Sequence, residues 1–317
     1  MKKTIVFNFF ILAFVFTKCD KIKHPDQRPP KVYHCIDTLF QVVKTNTATS
    51  NFRKVLLEDY TGHHCQNCPR AAEAAESLTA QYGNKLVVIA NHVSIDFAQP
   101  NRDPNGTICK EDFRNDASTA WDDKNSPGMG FSNAGLPQGT VNRIGIPNFP
   151  QVHTKWPGLV NTAISKPQVA RLDVTTYYDT VNHYLSTKVK TTFKTPLTNN
   201  VNLIIVLTQD SIRGCQKDGK PPAGSVMSTE DASYRTNYRF DNIVIESING
   251  TWGQLVKAAP IAINDTLTLS TSCFLLNKCF ETTPFKACVN DNYVNLIAFI
   301  YDVTTYEVLQ VEKLKIK

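Results

Sequence analysis

The sequence has no apolar run long enough to span a membrane and little excess charge, and each lack excludes a class of protein. The apolar run from Ile5 to Phe16 has twelve residues, whereas a membrane-spanning helix needs about 17 or more. The formal charge is +6, and it falls to +3 if residues 1–18 are removed. A nearly balanced chain gives no electrostatic reason to expect nucleic acid as a partner. Proteins, peptides or small molecules are therefore the favoured partners.

Residues 1–18 are typical of a secretory signal, because two lysines precede a short apolar region. A cysteine directly after such a region indicates a lipoprotein cleavage site, at which Cys19 becomes the lipidated first residue. Lys18 departs from the small residue that usually precedes this cysteine, so an ordinary signal peptide is the alternative. Residues 19–50, which are rich in proline and polar residues, are predicted to form a tether and a leading strand.

The cysteine content indicates an oxidising destination. Nine cysteines in an exported chain are typical of a compartment where disulfides form and persist. If Cys19 carries lipid and Cys65 pairs with Cys68, six remain. These six allow up to three bridges in fifteen connectivities, which the sequence leaves open; they are Cys35, Cys109, Cys215, Cys273, Cys279 and Cys288. We expect at least one bridge from the last three.

Residues 51–167 have an α/β pattern. An apolar strand at 55–60, an alanine-rich helix and a second apolar strand at 85–90 predict one parallel βαβ unit. Polar and turn-forming sequence at about 96–134 interrupts the pattern, as an insertion beside a binding surface would. The pattern then resumes and ends in a predicted helix at 156–165.

Residues 168–317 have the two-residue alternation of a second, all-β domain. Six to eight short strands separated by turn residues favour an antiparallel β-sandwich of immunoglobulin-like type. The predicted fold class is therefore α/β plus all-β.

The C-x-x-C pair Cys65 and Cys68 lies where the first strand meets the helix, which is where a redox dithiol would sit. The positive end of the helix dipole stabilises a thiolate there and lowers its pKa. Asp59 on the strand and Pro137 before a later strand match the buried acid and the cis-proline of thioredoxin-like proteins. The spacing therefore predicts a thioredoxin-like domain.

Two other interpretations of the pair stay open. In an oxidising compartment a C-x-x-C can be a structural clip, since the two kinds of bridge look alike in sequence. Alternatively, thiolate and imidazole ligands could bind zinc or copper; the candidates are His63, His64, Cys65, Cys68 and His92. We expect no metal and no cofactor, because a proline placed against the dithiol would hinder metal approach.

Four segments together resemble the outer membrane protein 28 related lipoprotein family. They comprise the dithiol segment 57–69, the proline strand 136–143, the turn 249–253, and the strand pair 296–302 with 307–310. The resemblance covers most of the mature chain. It implies a cell-envelope lipoprotein of a Gram-negative-type bacterium, on the periplasmic or surface face of the outer membrane. It also implies a thioredoxin-like domain followed by an immunoglobulin-like one.

The resemblance to thioredoxin assigns roles to the site residues. Cys65 would be the exposed attacking thiolate, Cys68 the resolving cysteine and Asp59 the proton relay, while Pro137 would contact bound peptide. The clients would be exported proteins or peptides. The second hypothesis is a non-catalytic surface binding or adhesion module that uses this fold as a scaffold. A buried, permanently oxidised pair would favour that second hypothesis.

Overall fold

The computed structural model describes residues 40–46, 51–100, 109–123, 130–145, 151–271, 273–276 and 288–317. The predicted signal peptide at 1–18, the lipidation site Cys19, and Cys35 and Cys279 lie outside these residues.

The first part of the chain alternates strands with helices. Its elements in order are β1 (Val42–Thr45), β2 (Val55–Thr61), α1 (Cys68–Tyr82), β3 (Leu86–His92), α2 (Ile95–Ala98), α3 (Asp116–Asp122), β4 (Gln138–Val141) and α4 (Trp156–Ile164).

The described remainder of the chain is built from strands, apart from a short 3₁₀ turn. They are β5 (Ala170–Tyr178), β6 (Tyr184–Phe193), β7 (Val201–Gln209), β8 (Ile212–Lys217), β9 (Tyr234–Phe240), β10 (Ile243–Ser247), β11 (Gln254–Lys257), β12 (Thr266–Ser270), β13 (Phe274–Leu275), β14 (Val294–Asp302) and β15 (Val308–Lys315). The described fold is thus mixed α/β and mostly strand.

One large sheet contains strands from both parts of the chain. Its order is β15-β14-β7-β10-β3-β2-β4, and β11 pairs with β7. The neighbours β2 and β3 are parallel, as a βαβ unit requires. β4 runs antiparallel to β2, and β10 joins β3 through the pairing of Ile243 with Ala90.

A second sheet packs against the strand-rich half of the large one. It has the order β1-β5-β6-β12, and β13 pairs with β6. Along β5 and β6 buried and partly exposed residues alternate, so that one face is buried and the other meets water. Leu172 and Val189 of this sheet share a hydrophobic core with Leu203 and Leu296 of the large sheet. These two sheets therefore form a sandwich.

The strands β2 and β3 are buried on both faces, and this explains their continuous apolar sequence. On one face Leu57 and Val88 pack against α1 and α4. On the other face Leu56 and Ile89 belong to a core with Trp121 of α3, which lies in the predicted insertion. The insertion is therefore a cover for the sheet.

The boundary predicted between residues 167 and 168 is crossed by one hydrophobic core and by the large sheet. Trp121 shares its core with Phe299 of β14, and its indole N–H donates to the carbonyl oxygen of Thr251 at 2.9 Å. Strands before and after the boundary also pair within one sheet. The sequence analysis did not predict this connection, because pairing between distant strands leaves no local periodicity.

Among the described residues, no helix has the length and apolar content needed to cross a membrane.

Candidate functional site

The site is built around a disulfide between Cys65 and Cys68, whose Cα atoms are 5.4 Å apart. The loop that holds Cys65 leaves the end of β2, and α1 begins at Cys68. Pro69 follows in the first turn of α1, where its missing N–H leaves no helical hydrogen bond unmade. The Cys68 sulfur thus lies at the positive end of the helix dipole, a position that stabilises a thiolate.

The loop before Cys65 approaches another backbone segment closely. His64 N donates to the carbonyl oxygen of Phe97 at 2.9 Å, and Cys65 N donates to that of Gly62 at 3.0 Å. A Cβ atom at Gly62 would lie 2.3 Å from the Phe97 oxygen. Glycine is therefore required at position 62 by this close approach.

The expectation that Cys65 is exposed is wrong. Both cysteines are buried, each with 2% of its surface exposed. The cover is the hairpin β8–β9, which pairs with no other described strand. Its Lys217 N donates to the carbonyl oxygen of His63 at 2.7 Å, and the Gln216 side-chain amide donates to that of Cys65 at 3.0 Å. We call this hairpin and Asp218 the dithiol cover.

An ion-pair cluster fastens the dithiol cover to the helix that carries Cys68. The Asp218 side chain is fully buried and lies 3.3 Å from guanidinium nitrogens of both Arg70 in α1 and Arg235 in β9. Gly219 N also donates to the carbonyl oxygen of Gln66 at 2.9 Å. These contacts hold the dithiol cover over the buried Cys65.

Asp59 lies on β2 with 4% of its surface exposed, and its Oδ1 has no hydrogen-bond partner among the described residues. Burial raises the pKa of this carboxyl to about 8, because desolvation disfavours the charged form. An unpaired buried acceptor costs about 1–3 kcal/mol. A buried carboxyl with a raised pKa, on the strand that leads to the dithiol loop, is typical of a functional position.

Two buried histidines lie beside the site in neutral form. Burial lowers the pKa of His92 to about 3, and burial with the nearby His64 and His92 lowers that of His63 to about 3. Both ring nitrogens of His92 and the Nδ1 of His63 lack hydrogen-bond partners among the described residues. The His92 ring contacts Phe113 and Phe240 edge to face.

Pro137 precedes β4 at the strand end from which the dithiol loop departs. The Leu136–Pro137 peptide bond is cis. Gln138 pairs with Tyr60, so the register places Pro137 beside Thr61, four residues before Cys65. The structure thus brings Asp59, Cys65, Cys68 and Pro137 to the same end of β2 and β4.

A second disulfide adjoins this site, and the sequence did not predict its pairing. Cys109 of the insertion is bonded to Cys215 of β8, with Cα atoms 5.3 Å apart. Both pack against Tyr234 of β9, whose hydroxyl lies 2.8 Å from Nδ1 of His64. Cys273 and Cys288 are also disulfide-bonded. A separation of 106 residues carries no local signal of pairing.

The structure brings together a different set of possible metal ligands from the one suggested by the sequence. Ligand atoms of His63, His64 and Cys109 lie within 4.8 Å of one another. This grouping of described residues replaces Cys65, Cys68 and His92 by Cys109. In the structure the Cys109 sulfur is engaged in its disulfide.

A buried ion pair lies under the insertion, and the sequence analysis missed it. Arg143 and Glu58 are both fully buried and form two hydrogen bonds, of 2.7 Å and 2.8 Å. The guanidinium also lies over the rings of Trp121 at 4.9 Å and Phe299 at 5.2 Å. Because Glu58 and Asp59 are successive residues of β2, they face opposite sides of the sheet. The pair therefore supports the strand from the side away from the dithiol.

No family model and no curated protein matches the sequence. Five chains of solved structures match the structure of this chain. HBP35 of Porphyromonas gingivalis is 13% identical with a TM-score of 0.53, over 84% of this chain and 76% of that one. A protein of Agrobacterium tumefaciens is 11% identical with a TM-score of 0.44, over 85% of this chain and 97% of that one.

A domain of the outer membrane lipoprotein Omp28 from Porphyromonas gingivalis is also similar. It is 14% identical with a TM-score of 0.27, over 47% of this chain and 88% of that domain. At these levels of identity, the match to HBP35 carries information about the fold alone. Across most of its length, on both sides of residue 167, the chain shares its overall fold with HBP35.

Proposed function

We propose that the chain is a thiol-disulfide exchange protein of the cell envelope whose Cys65–Cys68 pair acts on exported proteins or peptides. The observation that carries this is Asp59, a buried carboxyl on the strand that leads to the dithiol loop, whose Oδ1 has no hydrogen-bond partner among the described residues and whose pKa is raised to about 8. A disulfide with a purely structural role needs no buried carboxyl beside its strand. A proton acceptor in this position serves a thiol that must lose its proton before it attacks.

The chemistry follows from the order of the cysteines. A client thiolate attacks the Cys65 sulfur, the Cys65–Cys68 bond breaks, and Cys68 leaves as a thiolate that the helix start stabilises. A second client thiolate then attacks the client sulfur of the mixed disulfide and releases Cys65. The client leaves oxidised, and both electrons remain on Cys65 and Cys68. The reverse sequence reduces a client disulfide.

The strand arrangement supports a thioredoxin-like unit. Parallel β2 and β3 joined by α1, antiparallel β4 preceded by Pro137, and the packing of α4 on the sheet form the pattern of that fold. The sandwich of β5–β6 on β7–β14 supports the immunoglobulin-like description of the second part. In this proposal Pro137 contacts the client peptide, and Cys19 anchors the chain to the outer membrane through lipid.

A redox titration tests the proposal. The full chain is equilibrated in glutathione or dithiothreitol buffers of graded potential, free thiols are alkylated, and the Cys65–Cys68 peptides are quantified by mass spectrometry. A reversible transition between about −120 and −270 mV supports exchange. The Cys109–Cys215 peptides in the same samples provide an internal reference. A pair that stays oxidised below about −300 mV overturns the proposal, because structural bridges behave in that way.

The burial of Cys65 favours a second candidate function. With 2% of its surface exposed and its carbonyl held by Gln216, Cys65 also fits a locked clip. The chain would then be a surface binding or adhesion module on a rigid scaffold, with loops as the contact surface. A pair that resists reduction would support this function.

A further inference from the structure

We propose that reduction of the Cys109–Cys215 disulfide creates a binding site for a soft divalent metal ion, with His63, His64, Cys109 and Cys215 as ligands. The site is separate from the exchange chemistry proposed for Cys65 and Cys68 and does not depend on it. In the oxidised chain the same four side chains form the attachment between the insertion and the dithiol cover.

The first argument is the geometry of the cluster. Ligand atoms of His63, His64 and Cys109 lie within 4.8 Å of one another. Zinc–nitrogen bonds of about 2.0 Å and zinc–sulfur bonds of about 2.3 Å place tetrahedral ligands roughly 3.5 Å apart. The sulfur of Cys215, bonded to that of Cys109, is the natural fourth ligand. Once the disulfide bond is broken, the two sulfurs would move apart to roughly this separation, and the histidine nitrogens would approach Cys109 by about 1 Å. The result is an S₂N₂ set, which suits zinc.

The second argument is an unused ring nitrogen. The Nε2 atoms of His63 and His64 lie 3.3 Å and 2.9 Å from the carbonyl oxygen of Gln99. A carbonyl accepts only, so each Nε2 carries its proton and each Nδ1 presents a lone pair. Metal-binding histidines usually donate their other N–H to such a group. His63 is fully buried, and its Nδ1 has no hydrogen-bond partner among the described residues.

At His64 a metal ion would compete with a tyrosine hydroxyl. The Nδ1 of His64 lies 2.8 Å from the hydroxyl of Tyr234, and metal binding would replace this hydrogen bond. Tyr234 also packs against Cys109 and Cys215, so the site has an apolar wall that keeps bulk water away.

A dithiol can serve as the reductant that opens the Cys109–Cys215 disulfide. The dithiol transfers two electrons to the Cys109–Cys215 bond and becomes a disulfide, while each freed sulfur takes up one proton. Metal binding then forms two metal–sulfur bonds and releases two protons to solvent.

Alkylation protection tests the proposal without any substitution. The full chain is reduced with dithiothreitol, freed of it, mixed with Zn²⁺ and treated with an alkylating reagent. We expect Zn²⁺ to slow alkylation of Cys109 and Cys215 at least tenfold and to leave Cys273 and Cys288 unchanged. Equal alkylation of Cys109 and Cys215 with and without Zn²⁺ would overturn the proposal.

Cobalt binding provides an independent measurement. The variant Cys65→Ser/Cys68→Ser lacks the other dithiol. Metal binding is therefore measured in a protein that cannot perform thiol exchange at Cys65 and Cys68, and a failure of one proposal is distinguished from a failure of the other. We expect the reduced variant to show the absorption of tetrahedral, thiolate-bound Co²⁺, and the oxidised variant to lack it.

The matched variants in that background are His64→Asn and Cys273→Ser/Cys288→Ser. We expect the first to weaken Co²⁺ binding at least tenfold and the second to leave it unchanged. Far-ultraviolet circular dichroism of each oxidised protein shows that it is folded. Unchanged binding in His64→Asn, or loss of binding in the second variant, contradicts the assignment.

Discussion

The side-chain amide of Gln216 donates to the carbonyl oxygen of Cys65 across 3.0 Å, although the two residues are 151 positions apart in the chain. This bond ties the β8–β9 hairpin to the loop of the Cys65–Cys68 disulfide. It lies between two stronger attachments, the Cys109–Cys215 bridge on one side and the buried Asp218 on the other. We therefore expect local opening of the hairpin to control access to the dithiol.

Asp218→Asn should speed reduction of Cys65–Cys68. The substitution removes a buried anion that Arg70 and Arg235 share. Since both arginines reach solvent, we expect the cover to lose about 1–2 kcal/mol rather than the 3–5 kcal/mol of a fully buried pair. The rate of reduction by dithiothreitol should rise about tenfold, because 1.4 kcal/mol is one decade. Quenched alkylation followed by mass spectrometry measures it.

The matched control is Asp241→Asn, which breaks the exposed pair with Arg239 on the same hairpin. We expect no change in the reduction rate there, since exposed ion pairs contribute about 0–1 kcal/mol. Equal rates for wild type and Asp218→Asn would show that the cover does not limit access.

Stability should depend on pH with a maximum near neutrality. The pKa of Asp59 rises from 3.8 to about 8 on folding, so its contribution is complete below pH 3.8 and is lost as the pH rises towards 8. The pKa of His92 falls from 6.5 to about 3, so its contribution is complete above pH 6.5 and is lost as the pH falls towards 3. His63 acts in the same direction as His92. Urea unfolding at successive pH values measures how the free energy of unfolding changes with pH.

The variant Asp59→Asn tests the contribution of Asp59 to the loss of stability at rising pH. Relative to wild type, its free energy of unfolding should increase between pH 4 and 8, by at most about 1.4 kcal/mol per pH unit. The difference should level off above pH 8, where Asp59 is ionised in both folded and unfolded chains. Parallel stability curves for the two proteins would contradict the raised pKa.

Gly62→Ala should destabilise the dithiol loop, because its Cβ would lie 2.3 Å from the backbone oxygen of Phe97. We expect a loss of about 2 kcal/mol or more, as for other substitutions that overpack a rigid site. Gly158→Ala in α4 is the control, since nothing lies within 4 Å of the added Cβ. That variant should gain about 0.5–1 kcal/mol from helix propensity. Chemical denaturation measures the free energy of unfolding of both variants. Equal changes in the two would contradict the close approach of Gly62 to Phe97.

Arg143→Met should leave the carboxylate of Glu58 buried without a partner. Loss of one member of such a pair costs about 3–5 kcal/mol. The double variant Glu58→Gln/Arg143→Met removes the uncompensated charge and should recover a large part of this loss. Arg171→Met, at a pair with 41% of the arginine side chain exposed, should stay within about 1 kcal/mol of wild type. A double variant as unstable as the single one would contradict the electrostatic explanation.

Local sequence determined the elements around the dithiol. The predicted alanine-rich helix begins at Cys68 and ends at Tyr82, because apolar spacing, Pro69 and Gly83 act within one or two turns. The strands predicted at 55–60 and 85–90 lie at Val55–Thr61 and Leu86–His92 in the structure. Asp59 and Pro137 were named from their distance to the cysteines, and the structure places both at the same end of the sheet.

Only the tertiary structure decided what surrounds the dithiol. The β8–β9 hairpin that buries Cys65, the bridge from Cys109 to Cys215 and the pair of Arg143 with Glu58 each join segments 85 or more residues apart. Likewise, β10 meets β3 and extends one sheet across the predicted boundary. Periodicity reports which side of an element is apolar, whereas the partner of that side depends on packing of the whole chain. The sequence by itself thus determined the dithiol and its strand–helix frame, and packing determined its burial.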